Sequence, residues 1–280
     1  MHVSREGNSN QAIIEGRGSS RTDSLCIEED KQVTPLKRTR TLSVYEKYIK
    51  RVLDVLCSLT AIIVFSWLYI IIAILVRIMM GKPVIFKQPR PGLIGNDGYE
   101  RIFDMYKFRT MTNEKDKDGR LLPDEARLGR FGKMLRATSL DELPEAYNIL
   151  KGDMSVIGPR PQLVRDVVFM SDEQRMRHTA KPGLSGLAQV MGRNAITWED
   201  KIKWDLKYIE KISFWGDLKI VFRTFNKVFI RKNMMNSSVE IDITDDFGDA
   251  LLKAGKVTKL QYDILQANAV DILSEHKGRR

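Results

Sequence analysis

Leu135 to Pro161 reads L-R-A-T-S-L-D-E-L-P-E-A-Y-N-I-L-K-G-D-M-S-V-I-G-P-R-P. The adjacent carboxylates Asp141 and Glu142 lie between Arg136 and Arg160, and prolines flank the second arginine in G-P-R-P. Charges gathered in this way describe an anion site with a nucleophile inside it. Ser139 stands three residues before Glu142, the spacing of a capping box, so a helix is expected to start there with Asp141 in its first turn. Unpaired N–H groups and the helix dipole at such a start attract phosphate as well as carboxylate. Pro144 removes a backbone donor and disfavours helical geometry at Leu143, which predicts an irregular first turn. Spacing alone leaves a second reading open, in which both acids are ordinary helix-start residues and G-P-R-P is only a stiff loop.

Upstream of this stretch, residues 102–109 alternate as I-F-D-M-Y-K-F-R, and the cluster Gly95, Asn96, Asp97, Gly98 is a turn signal. Together they predict a β-hairpin from about Val84 to Thr110 that carries Arg90, Lys107 and Arg109. A hairpin this basic binds a polyanion or is merely a solvated face. Between hairpin and acid pair, residues 113–130 balance acids against bases and read as a loop running into a short helix.

Further upstream, Leu59–Val76 carries no charge and is long enough to enter or cross a bilayer. Lys37, Arg38, Arg40, Lys47, Lys50 and Arg51 flank one end, and Arg77, Lys82, Lys87 and Arg90 flank the other. Positive charge on both sides marks both ends as cytoplasmic, so the segment must turn back on itself. No proline follows Ser66, where Trp67 stands, and a kink must come from Ser66, Thr60 or packing. Residues 1–42, rich in Ser, Arg, Thr, Asn and Gly, read as disordered or as ordered only against a partner.

Downstream, residues 170–181 form a polar helical run ending in His178, which reads as structural rather than as a base. The glycines of Lys181–Asn194 let backbone approach a ligand or form a tight connection. In Trp198–Lys232, Trp198, Trp204, Tyr208 and Trp215 interleave with lysines, and Gly216 is expected to split the run in two. That pattern suits interfacial amphipathic helices, with a core-packing helix as the alternative. A polar, acidic linker follows over residues 233–249. The 250–280 extension then reads as a short helix closed by Gly255 and a second helix capped by Thr258, with Leu260, Ile264, Leu265 and Ile272 roughly on one side.

The chain has 280 residues, room for one catalytic domain plus extensions. A net charge of +10 and a pI near 9.5 call for an anionic partner: a phosphorylated substrate, an acidic membrane surface or a nucleic acid. The apolar run argues against the nucleic acid. Mean hydropathy is −0.27, an average that hides the apolar segment. Two cysteines, Cys26 and Cys57, lack metal-ligand spacing and a disulfide framework, which fits a reducing compartment.

R-x-x-S-L-D-E-L-P from Arg136, L-K-G-D-M-S-V-I-G-P-R-P from Leu150 and K-P-G-L-S-G-L-A-Q-V-M-G-R-N from Lys181 resemble the bacterial sugar transferase family, in the family's order, over roughly Tyr45–Lys232. These are monotopic phosphoglycosyl transferases, which move a sugar 1-phosphate from a nucleotide sugar to a polyprenyl phosphate. The resemblance implies an α+β fold with a membrane-embedded, re-entrant N-terminal helix over 43–82 and a catalytic domain over 83–232. That domain combines a small β-hairpin with helices, some of them interfacial. It implies Asp141 as nucleophile and metal contact, Glu142 as its catalytic partner, and Arg90, Lys107, Arg136 and Arg160 as substrate-binding residues, Arg90 through the Q-x-R-P-G match at Gln88–Gly92. It further implies Mg²⁺, a UDP-sugar donor, a polyprenyl phosphate acceptor, inner-membrane lipid around the helix and a catalytic domain facing the cytoplasm. Nucleic acid is not among the expected partners. Ser66-Trp67 departs from the family's Ser-Pro break, as do Lys181 from the usual arginine and Leu187 from the usual tryptophan. The C-terminal extension lies outside the resemblance and is expected to dock a protein partner or a second copy. The rival reading is a non-catalytic, membrane-tethered interaction protein that keeps the fold.

Overall fold

The computed structural model describes residues 33–37, 40–191, 197–234 and 246–278. It is a mixture of helix and short sheet. A wide helical turn at Tyr45–Ile49 leads into α1 (Lys50–Val64) and α2 (Ser66–Met80), and the two meet at a 64° bend. No single helix among the described residues is long and apolar enough to cross a membrane; the bent pair passes that test together. Helical geometry is lost at Phe65, with φ −96° and ψ 9°. Among the described residues neither Thr60 nor Ser66 makes a side-chain hydrogen bond, so packing is what holds the bend, because each helix is anchored to a different part of the molecule. On α2, Ile72, Val76 and Met80 recur at helical spacing and bury against Phe108 and Leu135, while the Tyr69 hydroxyl donates to the carbonyl of Leu143.

The first helix is inside out. Its buried residues are Lys50, Asp54 and Ser58, again one helical face, whereas Val52, Leu56, Leu59 and Ile63 point outward. Lys50 pairs with Asp217, and Asp54 accepts from the Ser155 hydroxyl at 3.0 Å and the Val156 N–H at 2.9 Å. Arg51 donates to the carbonyls of Ile149 and Leu150 at 2.6 and 2.7 Å. These carbonyls lie in the last turn of a helix, where i+4 partners run out; the Gly152 N–H is a second donor to Ile149, at 3.0 Å.

The expected hairpin is present as β1 (Ile85–Ile94) and β2 (Glu100–Phe108), antiparallel, with Ile85 opposite Phe108 and Phe86 opposite Lys107. Gly98 takes φ +84° in the connecting turn, a backbone state that glycine tolerates. Phe103, Met105 and Phe108 turn inward, the first two against Ile149 and Met154. Then come α3 (Asp124–Arg127), α4 (Arg130–Ala137) and a tight 3₁₀ turn at Leu140–Glu142 before α5 (Glu145–Lys151). The irregular start expected from Pro144 is therefore found. The capping box at Ser139 is not: its side chain makes no cap bond, and its backbone is left-handed at φ +55°. A capping box does form at Ser171, with Gln174 as its partner.

β3 (Ser155–Ile157) pairs in parallel with β4 (Gly183–Ser185), and between them lie α6 (Val164–Val167), α7 (Asp172–Arg175) and a 3₁₀ turn at Met176–Thr179. After β4 come α8 (Leu187–Met191), α9 (Trp198–Glu210) and α10 (Phe214–Met234). Gly216 does not split this region as expected. It sits in the first turn of α10, and the chain breaks earlier, at Lys211, where φ −143° and ψ 77° end α9. The two helices also divide the roles. α9 packs into the core through Ile202, Tyr208 and Ile209, while α10 leaves Phe214, Trp215, Phe222 and Phe225 exposed.

Both extensions touch the domain. Within the tail expected to be disordered, the Leu36 N–H donates to the Gly98 carbonyl at 2.8 Å, and the Thr34 carbonyl accepts from Arg175 at 2.6 Å. Arg40 pairs with Glu46 and reaches the Thr179 carbonyl at 3.2 Å. At the other end, α11 (Phe247–Lys253) and α12 (Lys259–Gly278) place Phe247, Val257, Leu265 and Ala269 in one core with Val168, Phe169, Met170 and Ile202. Arg165 pairs with Asp246, and the Gly248 N–H donates to Asp166 at 3.3 Å. The apolar face expected to meet a partner is thus partly covered by the chain itself. Most of the linker and of the N-terminal tail, and Gly192, Arg193 and Asn194 of the glycine-rich stretch, lie outside the described residues.

Candidate active site

An open cleft of about 530 Å³ lies where the hairpin, α4 and the 3₁₀ turn converge. Lys107, Arg136, Asp141, Glu142 and Arg160, five of the six site residues expected from sequence, line it together. Lys107 comes from the inner end of β2 and Arg136 from the last turn of α4. Both acids come from the 3₁₀ turn, and Arg160 comes from the loop after β3. The left-handed backbone of Ser139 makes the sharp entry into the acid turn, at a cost on the order of 1 kcal/mol for a residue with a Cβ.

Glu142 is fully engaged. Its Oε1 takes Arg160 Nη2 at 2.6 Å and Lys107 Nζ at 3.0 Å. Burial pushes its carboxyl up, but the Arg160 and Lys107 charges outweigh that and hold it down to about 2. Arg160 is correspondingly raised by Glu142, against its own burial. Lys107 reaches a third acid, Glu145, at 3.1 Å. Glu145 is 1% exposed and pushed up by burial, with Lys107 opposing.

Asp141 behaves differently. It is buried, makes no ion pair among the described residues, and is raised by burial, with Lys107 and Arg136 opposing and Glu142 adding to the rise. Arg136 donates from Nε to Thr110 Oγ1 at 3.0 Å, which leaves its outer nitrogens toward the cleft. The cleft therefore holds one carboxylate tied between two cations beside one that is not tied. An unpaired carboxylate next to unspent positive charge can attack, or help hold, an electrophile that carries negative charge.

Arg90 is placed elsewhere. It lies behind the cleft wall, donating to Gln88 Oε1 at 2.8 Å and to the Pro161 carbonyl at 3.3 Å, with its Nε buried and unpartnered. Burial and the Arg160 charge lower it to about 10. Gln88, not Arg90, reaches the lining. His178 is buried away from the cleft with Nδ1 3.0 Å from Glu100 Oε1, consistent with a structural residue. Sequence reading missed Glu145 and Asn148. Asn148 locks the hairpin onto α5 by accepting from the Tyr106 N–H at 2.9 Å and donating to the Asp104 carbonyl at 2.6 Å. The available signal was their position, about one and two helical turns after the acid pair.

Residues 45–231 match the family described as Bacterial sugar transferase. The chain is 43% identical over 190 residues to an uncharacterised sugar transferase, EpsL, of Bacillus subtilis, an alignment covering 68% of this chain and 92% of that one. It is 39% identical over 194 residues to a UDP-glucose:undecaprenyl-phosphate glucose-1-phosphate transferase of Klebsiella pneumoniae, covering 66% of this chain and 41% of the relative. It is 40% identical over 190 residues to a UDP-N-acetylgalactosamine-undecaprenyl-phosphate N-acetylgalactosaminephosphotransferase of Aeromonas hydrophila, covering 65% and 44%. The chain thus spans less than half the length of the latter two. The matched region runs from the turn before α1 into α10 and encloses every residue of the cleft, so the chain belongs to the bacterial sugar transferase family.

Proposed function

We propose that this protein transfers a sugar 1-phosphate from a UDP-sugar to polyprenyl phosphate through a phosphosugar carried on Asp141. The observation that carries the reading is the contrast within the acid pair: Glu142 is tied by Arg160 and Lys107, while Asp141 faces the same cleft with no ion pair. In the first step an Asp141 carboxylate oxygen bonds to the phosphorus bearing the sugar, and the bond from that phosphorus to the uridine monophosphate oxygen breaks. In the second, a phosphate oxygen of the acceptor attacks the same phosphorus, and the Asp141 oxygen leaves with its electron pair. Carboxylate and diphosphate repel each other, and Arg136, Lys107 and Arg160 offset that repulsion. Because Arg160 and Lys107 hold its carboxyl down to about 2, Glu142 stays ionised and keeps the two cations in place across the working pH range.

Mg²⁺ fits this donor set. It takes one or two carboxylates together with substrate phosphates and water, so Asp141 alone suffices on the protein side; no cluster of three acidic, His or Cys ligands occurs among the described residues. When bound, the ion supplies charge neutralisation at the transferring phosphoryl group.

A lipid setting is supported by α1, whose polar face turns inward while its apolar face points out, and by Trp67, Ile70, Ile71, Ile74 and Ile78, exposed on α2. In water this arrangement is unfavourable, and in a bilayer it is the stable one. The bent pair then enters from and returns to the cytoplasmic face of the bacterial inner membrane. In a variant lacking Cys26 and Cys57, cysteines at Thr41 and at Lys82 should both resist an impermeant maleimide in intact cells and both label after lysis. Labelling of one site alone in intact cells would show a spanning helix.

The reaction itself is tested with purified protein, Mg²⁺, polyprenyl phosphate and a panel of UDP-hexoses and UDP-N-acetylhexosamines, scored by release of uridine monophosphate. Release with one sugar class and matching lipid product is expected. No release from any donor, by folded protein in lipid nanodiscs, would leave the tethered interaction protein as the better reading.

A further inference from the structure

Two arginines, Arg177 buried and Arg90 half-buried, hold consecutive carbonyls of the loop that carries Arg160, and we propose that both are positioning residues for the Arg160 guanidinium. The inference rests on the phosphoglycosyl transferase reading of the cleft. Arg177 projects from the turn at Met176–Thr179 with 1% of its surface exposed. Its Nη2 donates to the Arg160 carbonyl at 2.7 Å and its Nε to Asp205 Oδ2 at 3.0 Å. From the opposite side, Arg90 of β1 donates to the Pro161 carbonyl at 3.3 Å and to Gln88 at 2.8 Å. The loop's third face is backbone: the Gly158 N–H donates to the Ser185 carbonyl at 2.9 Å and the Gly183 N–H to the Pro159 carbonyl at 3.0 Å.

Neither Arg177 nor Arg90 lines the cleft, yet each binds the backbone within one residue of Arg160. The Arg160 side chain is half exposed and makes one side-chain ion pair, to Glu142. A long side chain with one contact reaches a fixed point only if its root is fixed, since its rotamers otherwise spread the charge over a wide volume. Charge-assisted bonds from rigid, planar guanidiniums are suited to fixing that root, and a lysine cannot serve two acceptors in the same fork. Arg177 also couples the root to α9 through Asp205. Were the Arg177–Asp205 pair only a fastener between turn and helix, its loss would lower stability and nothing else.

The test uses the full chain in detergent. Arg177→Lys keeps a positive charge facing Asp205, and the double variant Arg177→Met with Asp205→Leu removes both charges so that neither is left buried alone. In both, and in Arg90→Lys, kcat should fall ~10-fold or more while the protein remains folded by circular dichroism. In the same variants the Arg160 Nε–H group should become more mobile, read as a fall in its ¹H–¹⁵N heteronuclear NOE, a change that lower stability alone would not produce. In an Arg160→Ala background, Arg177→Lys should add no further loss, as expected of residues acting through one group. Unchanged kcat and an unchanged Arg160 Nε–H NOE in folded Arg177→Lys would overturn the proposal, as would losses that multiply fully with Arg160→Ala. If the wild type itself releases no nucleotide, the reading of the reaction has failed, and the Arg160 Nε–H NOE still decides this inference. A lower NOE in Arg177→Lys supports it, and an unmoved one sinks it.

Discussion

Asp141→Asn is expected to abolish both turnover and the covalent intermediate while leaving the protein at least as stable as the wild type. The two halves of that expectation have one cause. Asp141 is buried without an ion pair, and burial raises its carboxyl, so the folded protein carries a carboxylate it stabilises poorly. An amide of the same shape removes that charge, so the melting temperature should hold or rise. The amide nitrogen and oxygen are poor nucleophiles, however, and turnover should fall ~10³-fold or more, as for other nucleophile replacements. Incubating wild type with its UDP-sugar and Mg²⁺, without acceptor, should leave a phosphosugar adduct visible in the intact mass and mapped to Asp141; Asp141→Asn should show none. If both acids were only helix-start residues, the substitution would cost about 1 kcal/mol or less and leave the rate near wild type. Full activity of Asp141→Asn would therefore end the assignment, and an adduct on another residue would keep the reaction class but move the nucleophile.

The second large effect is predicted at a residue with no side chain. Gly183 and Gly158 lie back to back, and a Cβ on Gly183 would stand 2.1 Å from the Gly158 nitrogen and 2.6 Å from its Cα. Nothing flexible is there to give way, so Gly183→Ala must separate the two backbones and break the bonds that join G-P-R-P to β4. Overpacking of ordinary side chains costs roughly 1–3 kcal/mol, and a clash of backbone against Cβ belongs at or above the top of that range. At temperatures where the variant still folds, Arg160 is displaced with its loop, and a shift of about 1 Å is enough for ~10²-fold in rate. Gly129→Ala is the control. A Cβ there meets nothing within 4 Å, φ is −67°, and the change should stay under ~1 kcal/mol with activity retained. Equal melting temperatures for the two variants would show that the backbone contact at Gly183 is slack.

The Gly183 contact was visible in the sequence only as a glycine-rich stretch, and that is typical of where sequence reading stopped here. Lys107 and Arg160 were placed at the cleft by resemblance, but nothing in either's neighbourhood announced that both would close on Glu142 rather than on Asp141. Glu142 and Asp141 are adjacent and chemically alike. The cations that separate their roles arrive from residues 35 positions before and 18 positions after Glu142. Arg90 shows the reverse: its motif matched, and its side chain stands outside the cleft lining.

Sequence by itself determined the elements whose causes are local. The Gly95–Gly98 turn made the hairpin, Pro144 made the acid turn irregular, and the uncharged run 59–76 made helical backbone whose outward faces are apolar. Each depends on a few neighbouring residues and a backbone preference, so a linear reading suffices. The tertiary structure alone decided the rest: that Ser139 turns left-handed instead of capping, that α1 and α2 bend at Phe65 without a proline, and that the C-terminal hairpin covers Phe169 and Ile202. It also decided which carboxylate stays unpaired. In each of these the local preference is weak or absent, and the energy comes from contacts between segments far apart in the chain. Burial raises the cost of an unpaired charge there and enlarges the gain from a matched one, and neither quantity is defined until the chain has packed.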